Sequence, residues 1–165
     1  MMKFKTLLLC LLSSFLLCLS FPKFDFSYLA WIGFLPWFFA VENKTKRQAF
    51  WLSYLCGFIF FIFILYWLVH VTLTGLIILC LYLSFYFAFF GYFFAGFKSR
   101  LPKLDFSSII FLASLWVILE FIRGHILSGF PWALLGYSQY LNIGLIQIAD
   151  IAGSLGISFL VVFAN

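Results

Sequence analysis

The chain has 165 residues, of which 66% are hydrophobic, 24% aromatic and only 9% charged, with a formal net charge of +5. Soluble domains are about 45–50% apolar and about 25% charged, so there are too few polar side chains here to cover a water-facing surface. That excludes a cytoplasmic enzyme, a nucleic-acid-binding module and a disordered tail, and it makes the positive charge an expected marker of membrane topology.

Backbone in hydrocarbon must satisfy its own hydrogen bonds, which leaves helices or closed barrels. The apolar blocks are continuous, without the alternation of barrel strands, so the fold class is all-α: a polytopic transmembrane helix bundle with about six hydrophobic segments. In chain order they are 4–21, closed by Phe21-Pro22; 26–41, short and broken by Pro36; 50–71; 74–97; 107–127, carrying Glu120 and Arg123; and a last block starting near Ile151. This last block is still apolar at Asn165, which predicts truncation within a helix. The whole of 1–165 is read as one membrane domain.

Lys3 and Lys5 precede the first block, Lys44, Lys46 and Arg47 follow the second, and Lys98, Arg100 and Lys103 follow the fourth. Eight of the ten basic residues thus lie on alternate connections, which predicts a cytoplasmic N-terminus and outward loops after the first, third and fifth blocks. Trp51 and Trp67 mark opposite ends of the third block, as aromatic belts do. The N-terminus also has signal-peptide character, but further apolar blocks follow at once, so an uncleaved first helix is expected.

Cys10, Cys18, Cys56 and Cys80 fall inside apolar blocks with no CxxC and no acid or histidine nearby. Thiolates are disfavoured in hydrocarbon, so these are packing residues rather than nucleophiles or ligands. Phe58–Phe63 and Phe85–Phe94 read as lipid contact and packing, and Gly91 with Ala95 has the spacing that lets helices approach closely. Metal-ligand spacing, a GxSxG elbow and a phosphate-binding glycine loop are all missing. No cofactor, metal or catalytic residue is therefore assigned, and neither Ser128 nor Ser138 is a triad serine.

The informative stretch is 116–150. Glu120 and Arg123 share a helical face, and charges inside a membrane usually pair or face a wet cavity. Two compatible roles follow: an ion pair that locks this helix to its neighbours, or the polar wall of a substrate cavity with Arg123 near a lipid phosphate. Gly129 and Pro131 end the helix. Trp132 and Tyr137 are expected at the outer interface, on a semi-polar segment that continues through Gln139 and is shielded by other helices. His70 and His125 read as interfacial hydrogen-bonders. By depth, Glu120, Arg123, His125, Trp132, Tyr137 and Gln139 form the candidate substrate-binding set.

Trp116-Val-Ile-Leu-Glu120-Phe-Ile-Arg123-Gly124, then Ser128-Gly129-Phe130-Pro131-Trp132 and Gly136-Tyr137-Ser138-Gln139, resemble the membrane region of bacterial apolipoprotein N-acyltransferases. Phe21-Pro22, Tyr66-Trp67 and the apolar run after Gly153 agree with the same pattern, so the resemblance covers essentially the whole chain. It implies an enzyme of the inner membrane that takes an acyl chain from a membrane phospholipid. The acceptor it implies is the N-terminal amine of a diacylglyceryl-cysteine lipoprotein. The implied chemistry runs through a thioester on a Cys, helped by a Glu and a Lys, in a periplasmic nitrilase-like domain. None of that catalytic set can be placed on 1–165. The expectation is an N-terminal membrane part, inactive alone, whose catalytic domain belongs to a longer protein or a separate chain. The alternative is a non-enzymatic polytopic protein, either a transporter subunit or an assembly factor, although only one block carries charges and no inverted repeat is evident.

Overall fold

A computed structural model describes residues 4–98, 105–127 and 129–165. Lys3, Arg100, Lys103 and Ser128 lie outside the described residues. Among those described, every regular element is helical: α1 Phe4–Leu19, α2 Leu35–Val41, α3 Lys46–Ile64, α4 Leu73–Lys98, α5 Phe106–His125, α6 Ile143–Ile146 and α7 Ala149–Ala164. Short 3-10 segments, Ser27–Trp31, Tyr66–His70 and Leu135–Gln139, join them. The expected all-α transmembrane bundle is therefore what the chain forms. Helices α3, α4 and α5 are each long and apolar enough to cross a membrane.

Local chemistry explains the boundaries. The second apolar block splits into a 3-10 turn and α2 because Pro36 fits only the first turn of a new helix. Helix α3 starts earlier than its apolar run. Thr45 Oγ1 accepts from the Gln48 amide at 3.3 Å, and Gln48 Oε1 accepts from the Thr45 amide at 3.2 Å, a reciprocal cap that draws Lys46 and Arg47 into the first turn. Helix α5 is capped by Asp105, whose Oδ1 accepts from the Ser108 amide at 2.9 Å. The Ser108 hydroxyl and amide hold this carboxyl below its ordinary pKa.

Helices α3 and α4 pack most closely. Gly91 of α4 lies against Ser53 and the Ala49 carbonyl, and Gly57 of α3 lies against Phe87, so a Cβ at either glycine would overlap its neighbour. The phenylalanine-rich run of α4 divides by face. Phe87, Phe90 and Phe94 are buried, whereas Phe85, Phe89 and Phe93 are exposed to the membrane side. At the centre, the Trp116 ring of α5 meets Phe34, Phe87 and Phe90 edge-on at 4.8, 5.0 and 5.0 Å. Trp37 stacks on Phe90 at 5.1 Å and donates its indole N–H to Ser53 Oγ at 2.9 Å. All four cysteines are free and buried. Ser14 Oγ donates to the Cys56 carbonyl at 3.0 Å, and the Cys18 thiol to the Phe60 carbonyl at 3.7 Å, so thiols and hydroxyls tie α1 to α3.

The two ends of the bundle differ. One carries Lys44, Lys46 and Arg47, together with Lys98, whose ammonium pairs with Glu42 at 3.4 Å. The opposite end carries the turn after α1, the Tyr66–His70 segment and the irregular stretch after α5, and it holds the polar residues of the candidate site.

Candidate functional site

After α5 the chain turns back on itself through residues that take left-handed backbone. Leu127 has φ 54°, Gly129 φ 77° and Ala133 φ 56°. At Gly129 a side chain is sterically barred as well, since a Cβ there would overlap the Gly124 carbonyl oxygen. For Leu127 and Ala133 the left-handed region costs energy, so the surrounding structure must hold them.

From Ala133 onward, Glu120 and Arg123 do the holding. Both are buried, at 4% and 3% exposure. They do not bridge each other: the one ion pair among the described residues is Lys98–Glu42. Instead Arg123 Nη2 donates to the Ala133 carbonyl at 3.1 Å, and Glu120 Oε1 accepts from the Leu135 amide at 2.7 Å. The Arg123 guanidinium also sits 5.3 Å from the Phe61 ring centre. One residue after Leu135, Gly136 donates its amide to Ser158 Oγ of α7 at 2.8 Å, and a Cβ at Gly136 would overlap the Ser154 carbonyl. Three side chains from α5 and α7 thus hold the elbow backbone from Ala133 to Gly136. Glu120 Oε2, Arg123 Nε and Trp116 Nε1 are buried without a hydrogen-bond partner among the described residues.

Gln139 is buried too, and it staples the elbow to the turn after α1. Its amide nitrogen donates to the Ser27 carbonyl at 2.8 Å, and its Oε1 accepts from the Trp31 indole at 3.0 Å. Nearby, the Tyr140 hydroxyl donates to Asp25 Oδ1 at 2.8 Å, and this acceptor raises the phenol's pKa. His125 lies elsewhere, exposed, with Nδ1 against the Phe121 carbonyl at 2.8 Å and its ring on Phe121 at 4.2 Å.

Trp132 and Tyr137 face a groove of about 840 Å³, within the range of small-molecule sites. Its other walls are Phe15, Cys18 and Phe21 from α1 and its following turn, Phe63 of α3, and Tyr66 with Trp67. Trp67 and Trp132 meet at 5.5 Å across it. A second groove of about 490 Å³ shares Phe15, Cys18 and Phe63 with the first and continues along Leu12, Leu11 and Leu8 of α1. The two adjoin along α1 and α3 as open apolar grooves.

The structure thus divides the six candidate residues into three groups. Trp132 and Tyr137 line the groove; Glu120, Arg123 and Gln139 are buried behind it as its backbone supports; His125 is on another surface. Sequence reasoning missed the α1 and α3 walls and Lys23, which also lines the groove. The available signal was that Phe21-Pro22 and Tyr66-Trp67 each end an apolar block on the same predicted side. No group of three or more His, Cys, Asp or Glu is arranged to hold a metal among the described residues.

Residues 13–165 match the family model described as "Apolipoprotein N-acyltransferase N-terminal domain". Among relatives named apolipoprotein N-acyltransferase, the Geobacter metallireducens protein is 41% identical over 96% of this chain and 32% of its own length. The Haemophilus influenzae protein is 33% identical over 100% of this chain and 32% of its own length. The Pasteurella multocida protein is 28% identical over 99% of the chain and 32% of its own. The chain therefore spans about a third of the length of these curated relatives.

Proposed function

The chain belongs to the apolipoprotein N-acyltransferase family, and from that premise we propose that it forms the part of such an enzyme that receives lipid and holds it at the outer face of the inner membrane. In this reading a membrane phospholipid gives the acyl chain and a diacylglyceryl lipoprotein accepts it. A nitrilase-like domain outside residues 1–165 carries the thioester chemistry. The N-terminus is cytoplasmic, so the Lys44–Arg47 end faces the cytoplasm and the elbow faces outward, as the distribution of Lys and Arg favours.

The observation that carries the proposal is the side-open apolar groove whose rim is Trp67, Trp132 and Tyr137. An acyl chain entering from the bilayer exchanges one apolar environment for another, so little desolvation opposes it. The aromatic rim keeps the headgroup and its ester at the interface, where Trp and Tyr prefer to sit. Glu120 and Arg123 act one step back. By fixing the Ala133 carbonyl and the Leu135 amide they fix the backbone that presents Trp132 and Tyr137. Placing the ester within reach of an external nucleophile is a matter of positioning, and small displacements in such geometry are costly in rate.

The test is acyl transfer by the full-length enzyme in membranes, with turnover expressed per folded molecule. Trp132→Ala and Tyr137→Ala raise the KM for phospholipid, whereas Arg123→Ala lowers turnover well beyond any loss of folded protein. Unchanged specific activity in all three would remove the substrate role. Orientation has its own test. An impermeant thiol reagent labels Tyr140→Cys from outside intact cells; labelling only after the membrane is opened would reverse the topology.

A further inference from the structure

Lys23 is set into the mouth of the groove. Its ammonium donates to the Tyr66 hydroxyl at 3.1 Å and lies 4.4 Å from the Tyr66 ring centre and 6.0 Å from that of Phe24. The residue has φ 97°, a left-handed backbone that L side chains rarely adopt. This follows from the tight turn after α1, in which the Phe24 and Asp25 amides both donate to the Phe21 carbonyl. Strained backbone of this kind persists where the surroundings impose it, and it clusters at ligand sites. Lys23 is also the accessible Lys or Arg at this end among the described residues. Arg123 is buried on Ala133, and Lys44, Lys46, Arg47 and Lys98 lie at the opposite end. The neighbouring Asp25 is engaged by Tyr140.

We infer that the Lys23 ammonium, held by Tyr66, binds the phosphodiester of a membrane phospholipid whose acyl chain runs down the α1–α3 groove. An ammonium has three donors and Tyr66 takes one, which leaves two for phosphate oxygens. Tyr66 supplies a hydroxyl on the same rim. Below them the groove offers apolar wall from Leu19 to Leu8. At about 1.5 Å per residue that is about 16 Å, roughly half of a hydrocarbon core about 30 Å thick, so it is sized for a chain from one leaflet. The site therefore selects a lipid with a phosphate over a diacylglyceryl group without one. This rests on the groove reading above and adds the headgroup discrimination.

The experiment is photocrosslinking in liposomes with the chain carrying Phe63→p-benzoylphenylalanine, a groove position, or Phe121→p-benzoylphenylalanine, a lipid-facing position on α5. The probes are radiolabelled phosphatidylglycerol and radiolabelled diacylglycerol at equal dilution in unlabelled lipid. The expected result is capture of phosphatidylglycerol over diacylglycerol by about fivefold at position 63, the ratio of one exposed charge contact, and by no such ratio at position 121. Lys23→Gln abolishes the preference and Lys23→Arg restores it. Equal capture of both lipids at position 63, unaltered by Lys23→Gln, overturns the phosphate site while leaving the groove in place. Capture at position 63 no stronger than at position 121 overturns the groove itself. The comparison of the two lipids needs no Lys23 variant, so misfolding of Lys23→Gln would not shield the proposal.

Discussion

The α3–α4 seam and the elbow after α5 solve the same problem, ordering backbone inside a membrane, by opposite means. The seam is held by shape: Gly91 against Ser53, Gly57 against Phe87, and a layer of buried rings around Trp116. Its energy is spread over many small contacts with no preferred direction. The elbow is held by a few directed bonds from Glu120, Arg123, Ser158 and Gln139 to backbone that would not otherwise adopt its conformation. A distributed interface tolerates small losses and resists added volume. A clamp of three or four bonds tolerates the loss of one bond hardly at all.

Substitutions should rank accordingly. The largest effect is expected at Glu120→Leu, which strands the buried Leu135 amide. A buried donor left without its acceptor costs about 1–3 kcal/mol, and more where that acceptor is charged, seen as a lower thermal midpoint in detergent micelles, while Glu120→Gln, which keeps an acceptor for the Leu135 amide, costs markedly less. If the two variants melt alike, the directed bond to Leu135 is not what holds the elbow. Next comes Gly91→Ala, whose new methyl meets Ser53 and the Ala49 carbonyl. Overpacking of this kind costs about 1–3 kcal/mol, and with Ser53→Ala, which by itself strands the Trp37 indole N–H, the double variant should lose less than the sum of the two single losses. Additive losses in that double variant would mean that Gly91 is not held by close approach.

Smaller effects separate the two modes further. Ser158→Ala removes the acceptor of the Gly136 amide and leaves that donor buried, at about 1–3 kcal/mol. Cys80→Ala in the apolar bundle should cost no more than its small lost volume. At the opposite end, Thr45→Ala breaks the reciprocal cap of α3 at about 1 kcal/mol, readable as a small drop in the same midpoint. The least effect belongs to the cap of α5. The Asp105 pKa is lower folded than unfolded because the Ser108 hydroxyl and amide bind the carboxylate. Its stabilising contribution is therefore present at neutral pH and is lost as pH falls from the ordinary carboxylate range through the lower folded pKa. Asp105→Asn should flatten that acid dependence of the midpoint, and an unchanged acid limb would show that the cap does not contribute.

Much of this architecture was legible in the residues. Continuous apolar blocks require helices, Pro36 required a break in the second block, and the Lys and Arg clusters required distinct ends. The site was legible only as a neighbourhood. Trp132 and Tyr137 do line a groove, but nothing in the order of residues separates them from Gln139, which is buried, or from His125, which faces away. In soluble helices the polar face reveals the buried one. In α3 and α4 nearly every position is apolar, so the 3.6-residue period carries no such signal; the inward Phe87 and outward Phe89 look the same in sequence.

Composition and the spacing of charges, by themselves, determined that this protein is a bundle of membrane helices, because hydrocarbon admits no other continuous apolar backbone and each helix satisfies its hydrogen bonds locally. Tertiary structure alone decided that Glu120 and Arg123 bond to Leu135 and Ala133 rather than to each other. It also decided that Lys23 and Tyr66, from turns 43 residues apart, meet at one groove. Those pairings depend on where separate helices come to rest, and that is set by the volumes packed between them, which no single segment encodes.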